Sequence, residues 1–279
     1  MLASLFQKSY LKPNWKFSVN GIIWRIIYTD LNFLVGEDRD IEKKKVTFFC
    51  LNLENGNLLW KNLSVLDDWW VGIEKIIDDK IIFHGFKKPD MPEHKKIIVA
   101  DLGTGKIIWQ NDDYPFYSAN KNFIYAYRDL FERRIYYKLN SSNGEIVEEI
   151  DDLNDEILQS SFNKSNSNLI YPEPISFLDD AEYLKIVEGI IPKENLVGEI
   201  EFVILNENAI FSFHKKNKTN LQNIIIVINR KGEILHEEIL TDETEYPTPD
   251  TFFVNYKTLF YIKNRNTIVA LPILNKGSN

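Results

Sequence analysis

Apolar residues in this chain come in short runs rich in Ile, Val, Phe, Tyr and Trp, and Gly, Asn, Asp or Ser breaks the runs at close intervals. That rhythm predicts β-strands and leaves room only for short helical pieces, such as one around residues 179–187. Four stretches share a finer pattern of strand, polar bend and strand: residues 48–60, 97–109, 135–147 and 224–235. Their bends carry Gly56, Gly105, Gly144 and Gly232. Glycine reaches positive φ at no steric cost, so each bend is expected to be a tight hairpin turn. Asn52, Asp101 and Asn140 stand four residues ahead of their glycines, where a short side-chain acceptor can take turn amides. Asn229 stands three ahead, which predicts a loop one residue shorter. Trp60 and Trp109 lie four residues past their glycines and suit the wedge between neighbouring sheets.

The glycines are 49, 39 and 88 residues apart, and the last gap has room for a degenerate copy between residues 151 and 195. Two further strands precede each hairpin: 22–28 with 33–36, 69–73 with 80–84, 116–118 with 123–127, and 200–204 with 209–213. A hairpin recurring at this period is the sign of a β-propeller of four-stranded antiparallel blades. We expect a single domain over 1–279 with six blades, or seven if residues 145–200 hold more than one. The C-terminal region 251–273 offers three strands and the segment 15–19 a lone one, so their pairing is expected to close the ring and remove exposed edges.

At 279 residues and 44% hydrophobic content, the chain can bury a sizeable core. A net charge of −8 argues against nucleic acid, which favours a basic face. No apolar run approaches the length of a membrane span, and the first residues lack the basic start of a secretory signal. The single cysteine, Cys50, rules out an internal disulfide and reads as a small core residue. These features lead us to expect a cytoplasmic protein.

The hairpin Val99-Ala100-Asp101-Leu102-Gly103-Thr104-Gly105-Lys106-Ile107-Ile108-Trp109 resembles the repeat of the quinoprotein-like (PQQ-type) propeller superfamily. The first hairpin matches it more loosely. The segments 23–26, 36–40 and 69–74, followed by Phe83-His84-Gly85, look like an uncharacterised bacterial domain family of unknown function. The first resemblance implies a fold and not a cofactor. Quinone-dependent relatives carry larger rings and adjacent cysteines, and the similar outer-membrane lipoproteins need a lipidated N-terminal cysteine. Neither feature is present, so no cofactor is expected.

The unusual side chains cluster in the first two repeats. Arg25 interrupts an apolar run and should need a carboxylate, with Glu37, Asp38 and Asp40 within reach. In register, Arg25, Glu37, Arg39, Glu74 and His84 would gather near one mouth of a central channel, with Trp70 as a stacking surface beside Gly72. The plainer reading makes them ion pairs and packing residues that tie strands together. The four histidines, His84, His94, His214 and His236, show no paired ligand spacing, so no metal site is expected. The acidic stretch 151–156 lacks the glycine and spacing of a calcium loop, and 163–168 and 215–220 read as loops. No nucleophile elbow, phosphate loop or dinucleotide fingerprint occurs. The expected function is therefore a non-catalytic scaffold for a protein or peptide partner. The alternative is a small polar ligand-binding or hydrolytic site at the channel mouth.

Overall fold

The computed structural model describes residues 10–29, 31–65, 69–87, 93–151, 168–191 and 194–273. The described residues are all-β, with antiparallel sheets and one short α-helix. Among the described residues, no helix is long and apolar enough to cross a membrane. The chain divides into two compact units, 20–167 and 168–279 with 1–19.

The first unit holds three four-stranded meanders. One comprises β1's successors in the chain, β2 (Ile22–Tyr28), β3 (Phe33–Asp40), β4 (Lys45–Asn52) and β5 (Leu58–Leu63), where β1 is Trp15–Ser18 of the other unit. The next runs through β6 (Val71–Ile77), β7 (Lys80–Phe86), β8 (His94–Asp101) and β9 (Ile107–Asn111). The third runs through β10 (Phe116–Ala119), β11 (Phe123–Asp129), β12 (Arg134–Asn140) and β13 (Ile146–Ile150). Their inner strands are apolar without alternation because both faces are covered. Ile81, Phe83, Ile98 and Ala100 pack with Phe48 and Cys50 of the first sheet, whereas Ile82, Ile97 and Val99 pack with Ala119, Ile124 and Leu139 of the third.

The hairpins form as their sequence requires. Gly56, Gly105, Gly144 and Gly232 have φ between 70° and 77°. The first three donate their amides to Asn52, Asp101 and Asn140 at 2.8–2.9 Å, and Gly232 closes the shorter loop on Asn229 at 2.9 Å. Oδ1 of each polar residue takes turn amides, as in Glu54 N to Asn52 (3.1 Å) and Thr104 N to Asp101 (2.8 Å).

Each tryptophan then crosses to the next sheet. Trp60 Nε1 donates to Leu102 O (2.8 Å) and Trp109 Nε1 to Ser141 O (3.0 Å). Their indoles lie against the following turn: a Cβ built on Gly105 would sit 2.9 Å from Trp60, and one on Gly144 would sit 2.7 Å from Trp109.

The second unit holds two five-stranded sheets. In one, β1 pairs with β22 (Thr267–Pro272), Trp15 opposite Ala270, and β21 (Thr258–Lys263), β20 (Phe252–Asn255) and the two-residue β14 (Leu169–Ile170) follow. This is the pairing of terminal segments anticipated from the sequence. The other sheet has the order β15 (Glu173–Pro174), β16 (Leu196–Leu205), β17 (Asn208–Asn217), β18 (Asn220–Asn229) and β19 (Ile234–Thr244). The loop expected at 215–220 is thus a tight turn at Lys218–Thr219, with Lys218 at φ 55°.

The described residues make five sheets, where six blades were expected. Much of the region assigned to a degenerate copy, 152–167, lies outside the described residues, as do Asp67, Asp68 and most of the acidic stretch 151–156. The described remainder, from residue 168 onward, supplies β14, β15 and the helix α1 (Ala181–Ile190). Asp180 caps α1 by accepting from Glu182 N (3.0 Å) and Tyr183 N (3.3 Å). Tyr183 and Val187 bury against Phe202, Phe211 and Ile226, so the helix covers one face of its sheet. Ile186 stands 3.2 Å from a Cβ built on Gly232, the position that an indole takes at the turns of Gly105 and Gly144.

Candidate functional site

Glu37 and Arg39 lie one step of alternation apart on β3, and both are buried. Arg39 clasps Glu37 Oε2 with Nε (3.1 Å) and Nη2 (2.9 Å). The same guanidinium donates to Trp69 O (3.0 Å) and Val71 O (2.6 Å), and Glu37 Oε1 accepts from Ile73 N (3.0 Å). Its carbon lies 5.4 Å and 5.1 Å from the ring centres of Trp24 and Trp69. Because β6 is an edge of its sheet, its outward main-chain groups have no strand partner among the described residues. The ion pair supplies partners for them and joins the first sheet to the second.

Arg25 departs from expectation. Ile23 pairs with Asp38 and Ile26 with Gly36, so Trp24 and Arg25 together oppose Glu37 in a β-bulge. The bulge turns both side chains outward, and Arg25 donates to Ile73 O (2.6 Å) from an exposed position. Its partner is a carbonyl on β6 and not the carboxylate that the sequence suggested. Trp70 is half-buried and meets Phe86 edge-on, with ring centres 6.4 Å apart.

Glu74 and His84 do come together, and a residue that the sequence did not single out joins them. His84 Nδ1 lies 2.7 Å from Glu74 Oε2, and His94 Nδ1 lies 2.9 Å from the same oxygen. The three ligating atoms fall within 4.8 Å of one another. The two imidazoles stack with centres 3.6 Å apart and planes 8° apart, and Phe86 stands edge-on to both, at 4.9 Å and 5.4 Å.

Two bulges bracket this constellation. Ile73 pairs with Phe83 and Lys75 with Ile82, which leaves Glu74 as the extra residue of β6. Phe83 pairs with Ile98 and Gly85 with Lys95, a second bulge on β8 where Lys96 has φ 62°. Re-aiming a side chain is what bulges do beside sites.

Burial raises the Glu74 carboxyl, but the two imidazoles beside it outweigh that and hold it down at about 2. The clasp and the histidine pair adjoin over Gly72, whose missing Cβ would lie 3.4 Å from both Glu37 Oε1 and the His84 ring. His94 was missed because the three side chains come from β6, β7 and β8, so cross-strand register brings them together and no i+2 to i+4 spacing exists to find. His214 and His236 belong to the second unit, in buried networks with Asn223 and with Tyr261.

Residues 27–109, which include this region, match the model of a domain of unknown function (DUF4905), fewer than half of the chain. No curated protein matches the chain in sequence. Solved structures with a similar course include the Pyrococcus horikoshii acylaminoacyl peptidase, at 12% identity and a TM-score of 0.31, covering 88% of this chain and 36% of that one. The Dos1 propeller is 10% identical with a TM-score of 0.31, covering 92% and 69%. The β-propeller domain of the Trilobed protease from Pyrococcus furiosus is 12% identical with a TM-score of 0.29, covering 88% and 64%. The chain spans about a third of the length of the peptidase.

Proposed function

We propose that this chain is a non-catalytic β-propeller scaffold that engages a protein partner through an anchor at the tip of the β11–β12 hairpin. On this reading the sheets are successive blades of one ring, and the PQQ-type likeness of residues 99–109 is one of fold without cofactor. The clasp supports the non-catalytic half of the reading, since Arg39 and Glu37 spend their hydrogen bonds on each other and on β6.

The observation that carries the binding half is Phe131, whose relative exposure is 102%, with Leu130 beside it at 45%. The tip is rigid. Leu130 N donates to Arg133 O (2.8 Å), Arg134 pairs with Asp129 (2.7 Å) and covers Tyr127 at 4.0 Å, and Arg133 pairs with Asp151 (3.0 Å). A large apolar ring held in water on a braced turn loses little conformational freedom when it docks, which is the economy of an interface anchor.

A photo-crosslinking phenylalanine analogue at position 131, in cells that make the chain, should give one discrete protein adduct. The same analogue at exposed Lys43 should not. Equal adducts from both positions, or none from 131, would refute the anchor.

A further inference from the structure

The histidine pair poses a problem that the scaffold reading does not use. His84 is 3% exposed, and among the described residues neither of its ring nitrogens has a hydrogen-bond partner; nor does Glu74 Oε2. The contacts at 2.7 Å and 2.9 Å are therefore close but misaligned, with two imidazoles facing one carboxylate oxygen. Leaving buried polar atoms in this condition is costly, and such a group calls for an unshown partner. Two neutral imidazoles could each carry a proton on Nδ1 for this oxygen, but neither contact has the alignment of a hydrogen bond. A cation serves all three atoms, because each offers a lone pair and the carboxylate supplies charge.

We propose that Glu74, His84 and His94 bind a late first-row divalent cation, Zn²⁺ foremost, through Glu74 Oε2 and Nδ1 of each histidine. Two imidazoles and a carboxylate suit Zn²⁺ and its neighbours, whereas Mg²⁺ and Ca²⁺ take oxygen sets. Three protein ligands leave a coordination position for water. Coordination points each imidazole's in-plane lone pair at the ion, so the parallel stack opens on loading. His94 is the ring that moves: its side chain is 31% exposed at the first residue of β8, while His84 is fixed by burial.

The test uses the full chain stripped with a chelator, then titrated with Zn²⁺ against a chromophoric competitor and with Co²⁺ by visible absorption. The wild type should bind one Zn²⁺ and give a Co²⁺ band of low coordination number. His94→Ala, at a half-exposed position, and Glu74→Gln, which keeps the shape, should each weaken Zn²⁺ by more than the ~10–100-fold that loss of a ligand's supporting partner costs. Circular dichroism of both variants should match the wild type. Equal Zn²⁺ affinity in all three proteins, no binding by the wild type, or displacement by equimolar Mg²⁺ or Ca²⁺ would overturn the assignment.

Discussion

Gly144→Ala isolates the contact that repeats through the first unit. Gly144 has φ 76°, where an alanine is strained by about 1–2 kcal/mol. Its new Cβ would also meet Trp109 at 2.7 Å and 2.8 Å, closer than such atoms approach. The indole can yield only by giving up the 3.0 Å bond to Ser141 O, a loss of about 1 kcal/mol, along with part of its packing. The expected destabilisation is therefore about 2–4 kcal/mol, read as a shift in the urea midpoint followed by circular dichroism.

A double-mutant cycle separates the two contributions. In a Trp109→Ala background the Cβ meets no indole, so Gly144→Ala should cost only the backbone strain of about 1–2 kcal/mol. A substitution that costs the same in both backgrounds would refute the idea that turn and tryptophan interlock.

Arg39→Met strands Glu37 in the interior without its cation and should cost about 3–5 kcal/mol in the same denaturation assay. The apolar double variant Glu37→Leu with Arg39→Met should recover only part of this. It still leaves Ile73 N and Val71 O of β6 without the partners the clasp gave them.

Burial lowers the affinity of His214 for a proton. In His236, burial likewise outweighs the pull of Glu238 in the other direction. Both folded values lie below the unfolded one, so their contribution is full above about pH 6.5 and lost as pH falls further. Melting temperature should decline from pH 7 to 5, each histidine adding up to about 1.4 kcal/mol per pH unit, and His214→Gln should flatten that slope.

Burial pushes the Cys50 thiol up to about 12. It should resist a thiol reagent at pH 8 in the native chain and react at once in denaturant.

The fold was legible where one rule acts locally. Gly56, Gly105, Gly144 and Gly232 announce their turns because positive φ is a property of a single residue, and the acceptors Asn52, Asp101, Asn140 and Asn229 act within their own loops. The pairing of β1 with β22 could be anticipated from leftover strands, and α1 from its composition.

The site was only half legible. Glu37, Arg39, Glu74 and His84 stand out as polar residues in apolar strands. Bulges, however, decide where Arg25 and Glu74 point, and a bulge shifts alternation without any mark in composition. His94 reaches His84 across a strand pair, through register that no linear spacing reports. The helix at 181–190 falls where a short helical piece was expected, whereas the degenerate strand copy expected over 151–195 supplies only the two-residue β14 and β15 in its described part.

Trp60 reaches forward to the turn at Gly105 and Trp109 forward to the turn at Gly144, and the corresponding place beyond Gly144 is filled by Glu148. The three meanders thus form a directed series of plugs and sockets whose final member receives a plug and offers none. Such a series has a head and a tail: an indole passes from each sheet to its successor, and the third sheet has none at the matching position. A fourth sheet would join the series only through an indole at position 148 together with a glycine turn to receive it.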